Sequence, residues 1–481
     1  MKRISCFLFA TIIITSCTRV SPPEPFGPVP TESQLAWHEM EYYMFVHFTV
    51  NTFTDKEWGY GDEKESVFNP TELDCTQWAR VASEAGMKGI IITSKHHDGF
   101  CLWPSELTEH SVKNSPWKEG KGDVIMELRK ACDDYGLIMG VYLSPWDRNS
   151  AVYGTPEYLT YYRGQLTELL THYDDIFEVW FDGANGGDGY YGGARETRRI
   201  DNKTYYDWLF THVIVRELQP DAVMFSDAGP DVRWVGNESG MGSLTNWCLL
   251  NKDDMYPGGN FAAILGEGHE DGKYWVPAEV DVSIRPGWFW HESQDSLVRS
   301  PGNLLELYYS SIGRNSNLLL NVPPDKRGLL HEKDVESLMA FRELREKEFE
   351  YDMARGMKVS ASDTRGRDFR PSNVNDGNPD TYWAAKDDVT TAELIIDLGA
   401  GTEINRILLQ EYIRLGQRVK GFKVEALVDG EWTPLIEGTT IGYKVIRKFP
   451  VTLTSKIKVT ITDSKACPVI SNIELYRAPG E

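Results

Sequence analysis

Across roughly 300 residues, from about Gln34 to Tyr351, short β-rich runs alternate with amphipathic helical stretches, a pattern few folds can satisfy. The β-like runs are 42–48, 89–93, 137–143, 176–181, 222–225, 280–284 and 317–322. In stretch 75–85, Trp78, Val81, Ala82 and Ala85 share a face, and Gly86 ends the helix. Stretch 123–135 opens on the N-cap candidate Asp123, turns Ile125, Leu128 and Cys132 inward, and stops at Gly136. Stretches 156–173 and 202–218 are further helices, the last closed by Pro220. Repeated strand–helix units of this kind predict a (β/α)8 TIM barrel or a slightly irregular relative. A doubly wound open sheet would also carry ligands at its strand ends. It would more typically offer a glycine-rich phosphate loop, and none follows a strand here.

In a barrel, chemistry gathers at the C-terminal ends of the strands. The residues falling there are His47, Lys95-His96-His97-Asp98, Tyr142 to Asp147, Asp182 and Asp227. The segment VWFDGA, from Val179 to Ala184, ends an apolar run on one carboxylate beside a tryptophan. That placement suits a nucleophile attacking a sugar, the plain alternative being an Asp-Gly turn.

Beyond residue 352 the pattern becomes short β-like runs with turn signals: 393–398, 406–410, 422–428, 456–462 and 473–476. We therefore expect a barrel over 34–352 and an all-β sandwich over 353–481. At the other end, Lys2 and Arg3 precede an apolar stretch closing on Ile14-Thr15-Ser16-Cys17. Residues 1–17 thus resemble a bacterial lipoprotein signal with Cys17 as the lipidated residue, against an ordinary signal peptide holding a chance cysteine. The proline-rich 18–33 reads as a semi-extended tether that does not pack. Cys75, Cys101, Cys132, Cys248 and Cys467 remain, an odd set without CxxC or CxH spacing, so neither disulfides nor structural zinc are expected. Asp and Glu outnumber Lys and Arg 72 to 50, which argues against nucleic acid as a partner.

Several motifs occur in order: FVHFTVNTF with EWG, SKHHDGFCLWPS, YLSPWD, VWFDGANG, GPDVRWVGNE and RPGWFW. Together they resemble the α-L-fucosidases of glycoside hydrolase family 29. The form GPDVRWVGNESG resembles the subfamily preferring branched α-1,3/1,4-linked fucose, as in Lewis-type glycans. The stretch SNVNDGNPDTYWAA with the late SNIELY resembles a discoidin-type (family 32-like) carbohydrate-binding module.

The resemblance implies a retaining exo-hydrolase that uses two carboxyl groups and no catalytic cofactor. Asp182 matches the nucleophile and Glu238 the acid/base, with Asp231 and Glu267 as rival carboxylates. His47, His96 and His97 match residues donating hydrogen bonds to ring hydroxyls, and Glu57 with Trp58 matches a sugar clamp. Tyr142 and Trp180 would flank the site, either one equally plausible as core packing. Trp288 would wall a pocket for the fucose methyl, while Asp98 and Asp147 would only support loops. In the sandwich, Asp376, Thr381 and Glu474, with carbonyls near Asn373 and Asn378, would hold a structural calcium. The implied partners are fucosylated oligosaccharides or glycoproteins. The implied location is an exported, membrane-anchored lipoprotein, facing the periplasm rather than displayed on the cell surface. A non-catalytic glycan-binding lipoprotein and an exo-hydrolase for another sugar, such as galactose, are the competing readings.

Overall fold

The structure, a computed structural model, describes residues 20–479. The signal segment and Cys17 therefore lie outside the described residues. Eight parallel strands close a barrel: β1 (Tyr42–Val46), β2 (Gly89–Lys95), β3 (Ile138–Leu143), β4 (Glu178–Trp180), β5 (Val223–Ser226), β6 (Val232–Trp234), β7 (Ala278–Ser283) and β8 (Ser316–Asn321). They are ordered as in the sequence, and β1 pairs with both β2 and β8 to close the ring. Seven of the strands coincide with the expected runs. The eighth, β6, is three residues long and lies inside the GPDVRWVGNE motif. It pairs in parallel with β5 after only a tight loop, with no helix between them. That is the irregularity of this barrel.

Side chains on a strand alternate between its two faces, and the inward set here changes character toward the C-terminal ends. Tyr43 and Phe45 lead to His47, Trp180 to Asp182, Phe225 to Asp227 and Leu319 to Asn321. Phe45, Tyr142, Trp180, Phe225, Val232 and Leu319 form one buried cluster in the barrel interior. A helix not expected from the sequence, α1 (Glu32–Met40), closes the opposite end. Thr31 caps it in a reciprocal capping box with Gln34, and its Trp37 and Met40 join the interior cluster.

The C-terminal module contains β9 (Lys358–Ala361), β10 (Trp383–Ala384), β11 (Ala392–Glu411), β12 (Val419–Val428), β13 (Glu431–Gly438), β14 (Val445–Ser464) and β15 (Val469–Tyr476). All pair antiparallel around a separate apolar core. The module docks at the N-terminal ends of the barrel strands. Asn315, just before β8, donates from its backbone N–H to Lys444 and accepts from Tyr443 N–H at 2.7 Å. Lys444 pairs with Glu41, just before β1, and Arg406 with Glu348. The module therefore sits at the end of the barrel away from the strand C-termini.

The expectation that the proline-rich segment stays unpacked is corrected. Residues 20–31 run along the module, and Pro23 and Pro30 are buried. An extended prolyl chain leaves its carbonyls unpaired, and the module's arginines take them up. Among the described residues, no helix is long and apolar enough to cross a membrane. The five cysteines there are free and buried.

Candidate active site

A cavity of about 340 Å³ opens at the strand C-termini. Of the expected residues it brings together His47, Trp58, His96, His97, Trp180, Asp182, Glu238 and Trp288. Asp182 follows β4 after one residue. Its Oδ2 accepts from the Tyr142 hydroxyl at 3.1 Å, and its Oδ1 from the Ala184 N–H. A Cβ on Gly183 would lie 2.2 Å from Asp227 Oδ2, so only glycine lets these two carboxyl-bearing strand ends pack together.

Glu238 stands on the loop after β6. The residue is exposed, but its carboxyl lines the cavity and accepts from Trp288 Nε1 at 3.3 Å. Partial burial raises its pKa above the ordinary glutamate value, and the charges of Asp182 and Glu57 push the same way, while the Trp288 bond opposes them. A carboxyl so placed holds its proton to higher pH, as a general acid requires. The rivals lie elsewhere: Asp231 is paired with Arg216, and neither it nor Glu267 lines the cavity.

The three histidines form a neutral cluster. Burial lowers His47 to about 3 and His97 to about 4, and takes His96 well below the usual range. His47 Nδ1 meets Asn321 Oδ1 at 2.8 Å, while the Asn321 amide donates to Ser283 and to the Trp288 carbonyl. His97 Nδ1 meets Ser144 Oγ at 2.7 Å, whose own proton goes to the Trp146 carbonyl. Both Nδ1 atoms must therefore donate, which leaves Nε2 of each as a lone pair. This reverses the expected direction: sugar hydroxyls would donate to His47 and His97 rather than accept from them.

Two of the expected residues lie outside the cavity lining. Glu57 does not line the cavity. Its carboxylate accepts from Trp288 N–H at 2.8 Å and Phe289 N–H at 3.4 Å, and it meets His291 Nε2 at 2.6 Å. It holds the loop bearing Trp288. Tyr142 is buried beneath the site and touches Asp182 rather than the cavity. Asp98 and Asp147 support loops as expected, Asp98 through Phe100 N–H and Thr49, and Asp147 through Lys95 and the 149–150 backbone.

Two cavity carboxyls received no role from the sequence. Asp281, on β7, accepts from Trp234 Nε1 at 2.8 Å, and burial pushes its pKa well above the usual range. Asp227 accepts from Gly258 N–H at 2.7 Å and is pushed up to about 6 by burial. The period-two alternation through Glu279 could have flagged Asp281. Deeper in the barrel, Glu178 and Glu279 face each other. Trp180 Nε1 donates to Glu279 at 2.9 Å, Tyr43 also donates to Glu279, and Trp37 donates to Glu178 at 3.2 Å. Burial raises both; the Glu279 charge pushes Glu178 further up, while hydrogen bonds from Tyr43, Trp180 and Glu178 draw Glu279 back, so the pair's proton rests mainly on Glu178. That proton gives Glu178 Oε1, otherwise without a partner, a bond to make.

In the module, Asp376 accepts from Thr381 Oγ1 at 2.9 Å and from Asn378 N–H at 2.9 Å, and Thr381 Oγ1 also reaches the Asn378 carbonyl at 3.0 Å. Glu474 lines the adjoining cleft with Asn378. The Asn373 side-chain amide donates to the Asp368 carbonyl at 2.9 Å and to the Tyr382 carbonyl at 3.0 Å. These donors are oxygens, the type Ca²⁺ takes, and both Glu474 oxygens already accept, from Asn472 Nδ2 at 2.8 Å and from the Tyr476 hydroxyl.

Residues 26–343 match the alpha-L-fucosidase family model, and residues 358–475 match the F5/8 type C domain. The chain belongs to the glycoside hydrolase family 29 α-L-fucosidases. It is 42% identical to alpha-L-fucosidase 1 of Arabidopsis thaliana, covering 94% of this chain and 88% of that protein. A family 29 member from an unknown rumen bacterium superposes with TM-score 0.86 at 47% identity, covering 95% of this chain and 79% of that one. A Ruminococcus gnavus family 29 fucosidase, solved in complex with fucose, superposes with TM-score 0.84 at 32% identity, covering 96% and 97%. The chain is thus a glycoside hydrolase of the α-L-fucosidase type, with a discoidin-type module behind its barrel.

Proposed function

We propose that this fucosidase works by double displacement with retention, Asp182 as nucleophile and Glu238 as acid/base. The observation carrying this reading is that the two carboxyls, distant in sequence, line one cavity, and that the charge of Asp182 helps raise Glu238. Retention needs carboxyl groups about 5–5.5 Å apart across the anomeric carbon. Asp182, held by Tyr142 and the Ala184 N–H, attacks that carbon and forms a fucosyl ester. Glu238 gives its proton to the leaving oxygen, then takes one from the water that hydrolyses the ester. The lone pairs of His47 and His97 accept from ring hydroxyls, and the apolar wall of Phe45, Phe225 and Trp288 suits the C5 methyl.

The preferred substrates in this reading are terminal α-1,3/1,4-linked fucosides of branched, Lewis-type glycans. Glu238 in its RWVGNE context supports that preference. Incubation with a Lewis trisaccharide, read by NMR for the first-formed anomer of fucose, tests it. Release of the α-anomer is expected. Release of the β-anomer would refute retention, and binding without release would favour the lectin reading. The reading also includes calcium at Asp376, Asn378, Thr381 and Glu474, with a purely structural role. It further includes export as a lipoprotein anchored through Cys17 and facing the periplasm.

A further inference from the structure

The segment before α1 is strapped to the module. Phe26 N–H donates to the Leu415 carbonyl at 3.1 Å, Arg365 Nε to the Ser21 carbonyl at 2.7 Å and Arg418 Nη2 to the Glu24 carbonyl at 2.6 Å. Arg418 is itself buried and also donates to the Cys467 carbonyl at 2.9 Å, so it is a fixed post. Gly416, at φ +90°, lets the strap come close: a Cβ there would lie 2.2 Å from the Phe26 carbonyl oxygen. The strap passes Lys465 at the junction with the barrel and continues over the module to Val20, which packs on Gly366.

Covalent geometry then limits the anchor. Cys17 and Val20 are three peptide steps apart, which span at most about 11 Å. A free chain from residue 18 to 31 would reach roughly 45 Å. We propose that the module face around Val20, with the neighbouring turns at 363–368 and 386–388, lies against the lipid bilayer and that the catalytic cavity opens away from it. This rests on the reading of Cys17 as the lipidated residue. The headgroup zone of one leaflet is only roughly 6 Å deep, so so short a leash leaves no room for the body to stand off. These turns carry no basic excess, Arg365, Arg367 and Lys386 standing against Asp363, Asp368, Asp387 and Asp388, and Arg365 pairs with Asp387 and Lys386 with Asp363, so acyl chains rather than electrostatics hold the face. The cavity lies at the strand C-termini and the module at their N-termini, so glycans are met from the aqueous side.

The test uses the full-length lipidated chain in phosphatidylcholine vesicles carrying a headgroup spin label. A bimane fluorophore is placed on Asp388→Cys, in the turn beside Asp387, or on Ser296→Cys, in the loop bearing Trp288; the native described cysteines are buried and spared. We expect quenching of the Asp388→Cys probe to exceed that of the Ser296→Cys probe at least threefold. Arg365→Ala with Arg418→Ala should release the strap and narrow the difference, with fucose release confirming that the variant is folded. Equal quenching at both sites in a chain whose intact mass shows the acyl groups would overturn the orientation alone. A chain without that mass would remove the anchor reading, and the orientation with it.

Discussion

Glu238 offers a quantitative test, because the groups that set its acidity pull in known directions. Trp288 Nε1 donates to its carboxylate at 3.3 Å and thereby favours the ionised form. Trp288→Phe keeps an aromatic wall and removes that one donor. A good hydrogen bond to a charged group contributes about 1.5–3 kcal/mol. This one is long and solvent-accessible, so about 1 kcal/mol or less is the appropriate figure. At 1.36 kcal/mol per unit, the Glu238 pKa should rise by about 0.5–0.7. The alkaline limb of kcat/KM reports the acid form of the free enzyme, so that limb should move to higher pH by the same amount, whatever happens to the plateau. Fucose release from a trisaccharide, measured from pH 4 to 9, provides the assay; an activated aryl fucoside does not, since its leaving group needs little protonation. Glu238→Gln should lower the plateau by about 10²–10⁴ and abolish the limb. A limb that stays fixed or moves to lower pH in Trp288→Phe would refute the assignment of this limb to Glu238.

The remaining expectations concern other groups. Asp182→Asn and Asp182→Ala should each abolish turnover, and azide should restore the alanine variant with fucosyl azide as product, detected by mass spectrometry. Asp281→Asn should keep kcat/KM within about threefold, because burial favours the neutral form of Asp281 and the amide keeps an acceptor for Trp234, whereas Asp281→Leu, which strands the Trp234 N–H, should lose tenfold or more. Glu178 and Glu279 bind a proton more tightly folded than unfolded, so their contribution is complete below the ordinary glutamate range and is lost as pH rises through their raised pKa values. The buried histidines act oppositely but only below about pH 6.5, so the urea midpoint should fall as pH rises beyond the histidine range, and Glu178→Gln should flatten that fall. Chelation by EDTA should lower the melting temperature of the module, and calcium should restore it. Asp376→Ala should remove that response and leave fucose release at 25 °C intact.

The barrel was legible because burial on both faces makes strand runs stand out, and because helix stops such as Gly86 and Gly136 punctuate them. What escaped had weak local signals. Strand β6 has three residues, one of them the buried Arg233, and no helix separates it from β5, so neither periodicity nor length marked it. Helix α1 was hidden because a helix sealing a barrel end is shaped by the opening it fills rather than by an amphipathic stripe. The strap was misread for a related reason. A proline-rich chain has no pattern of its own to bury, and its partners Arg365, Arg418 and Leu415 lie more than three hundred residues away.

In the site, residue types were more legible than their duties. Strand alternation selects His47, Trp180 and Asp182 for the cavity, but it cannot say which nitrogen of His47 carries the proton. That is decided by Asn321, whose amide is committed to Ser283 and the Trp288 carbonyl and so must turn its oxygen to the imidazole. Glu57 likewise stands next to Trp58 in sequence, but only the fold shows that the loop bearing Trp288 brings backbone N–H groups to its carboxylate. The same logic reaches the barrel floor. The inward positions of β4 and β7 hold Glu178 and Glu279, where alternation alone would place apolar side chains, and Trp180 ties Glu279 to the cavity wall. The cost of burying that pair is offset only if one proton is shared and the Tyr43, Trp37 and Trp180 donors are all engaged. The floor therefore fixes the orientation of the Trp180 indole, and with it the strand end that carries Asp182 into the cavity.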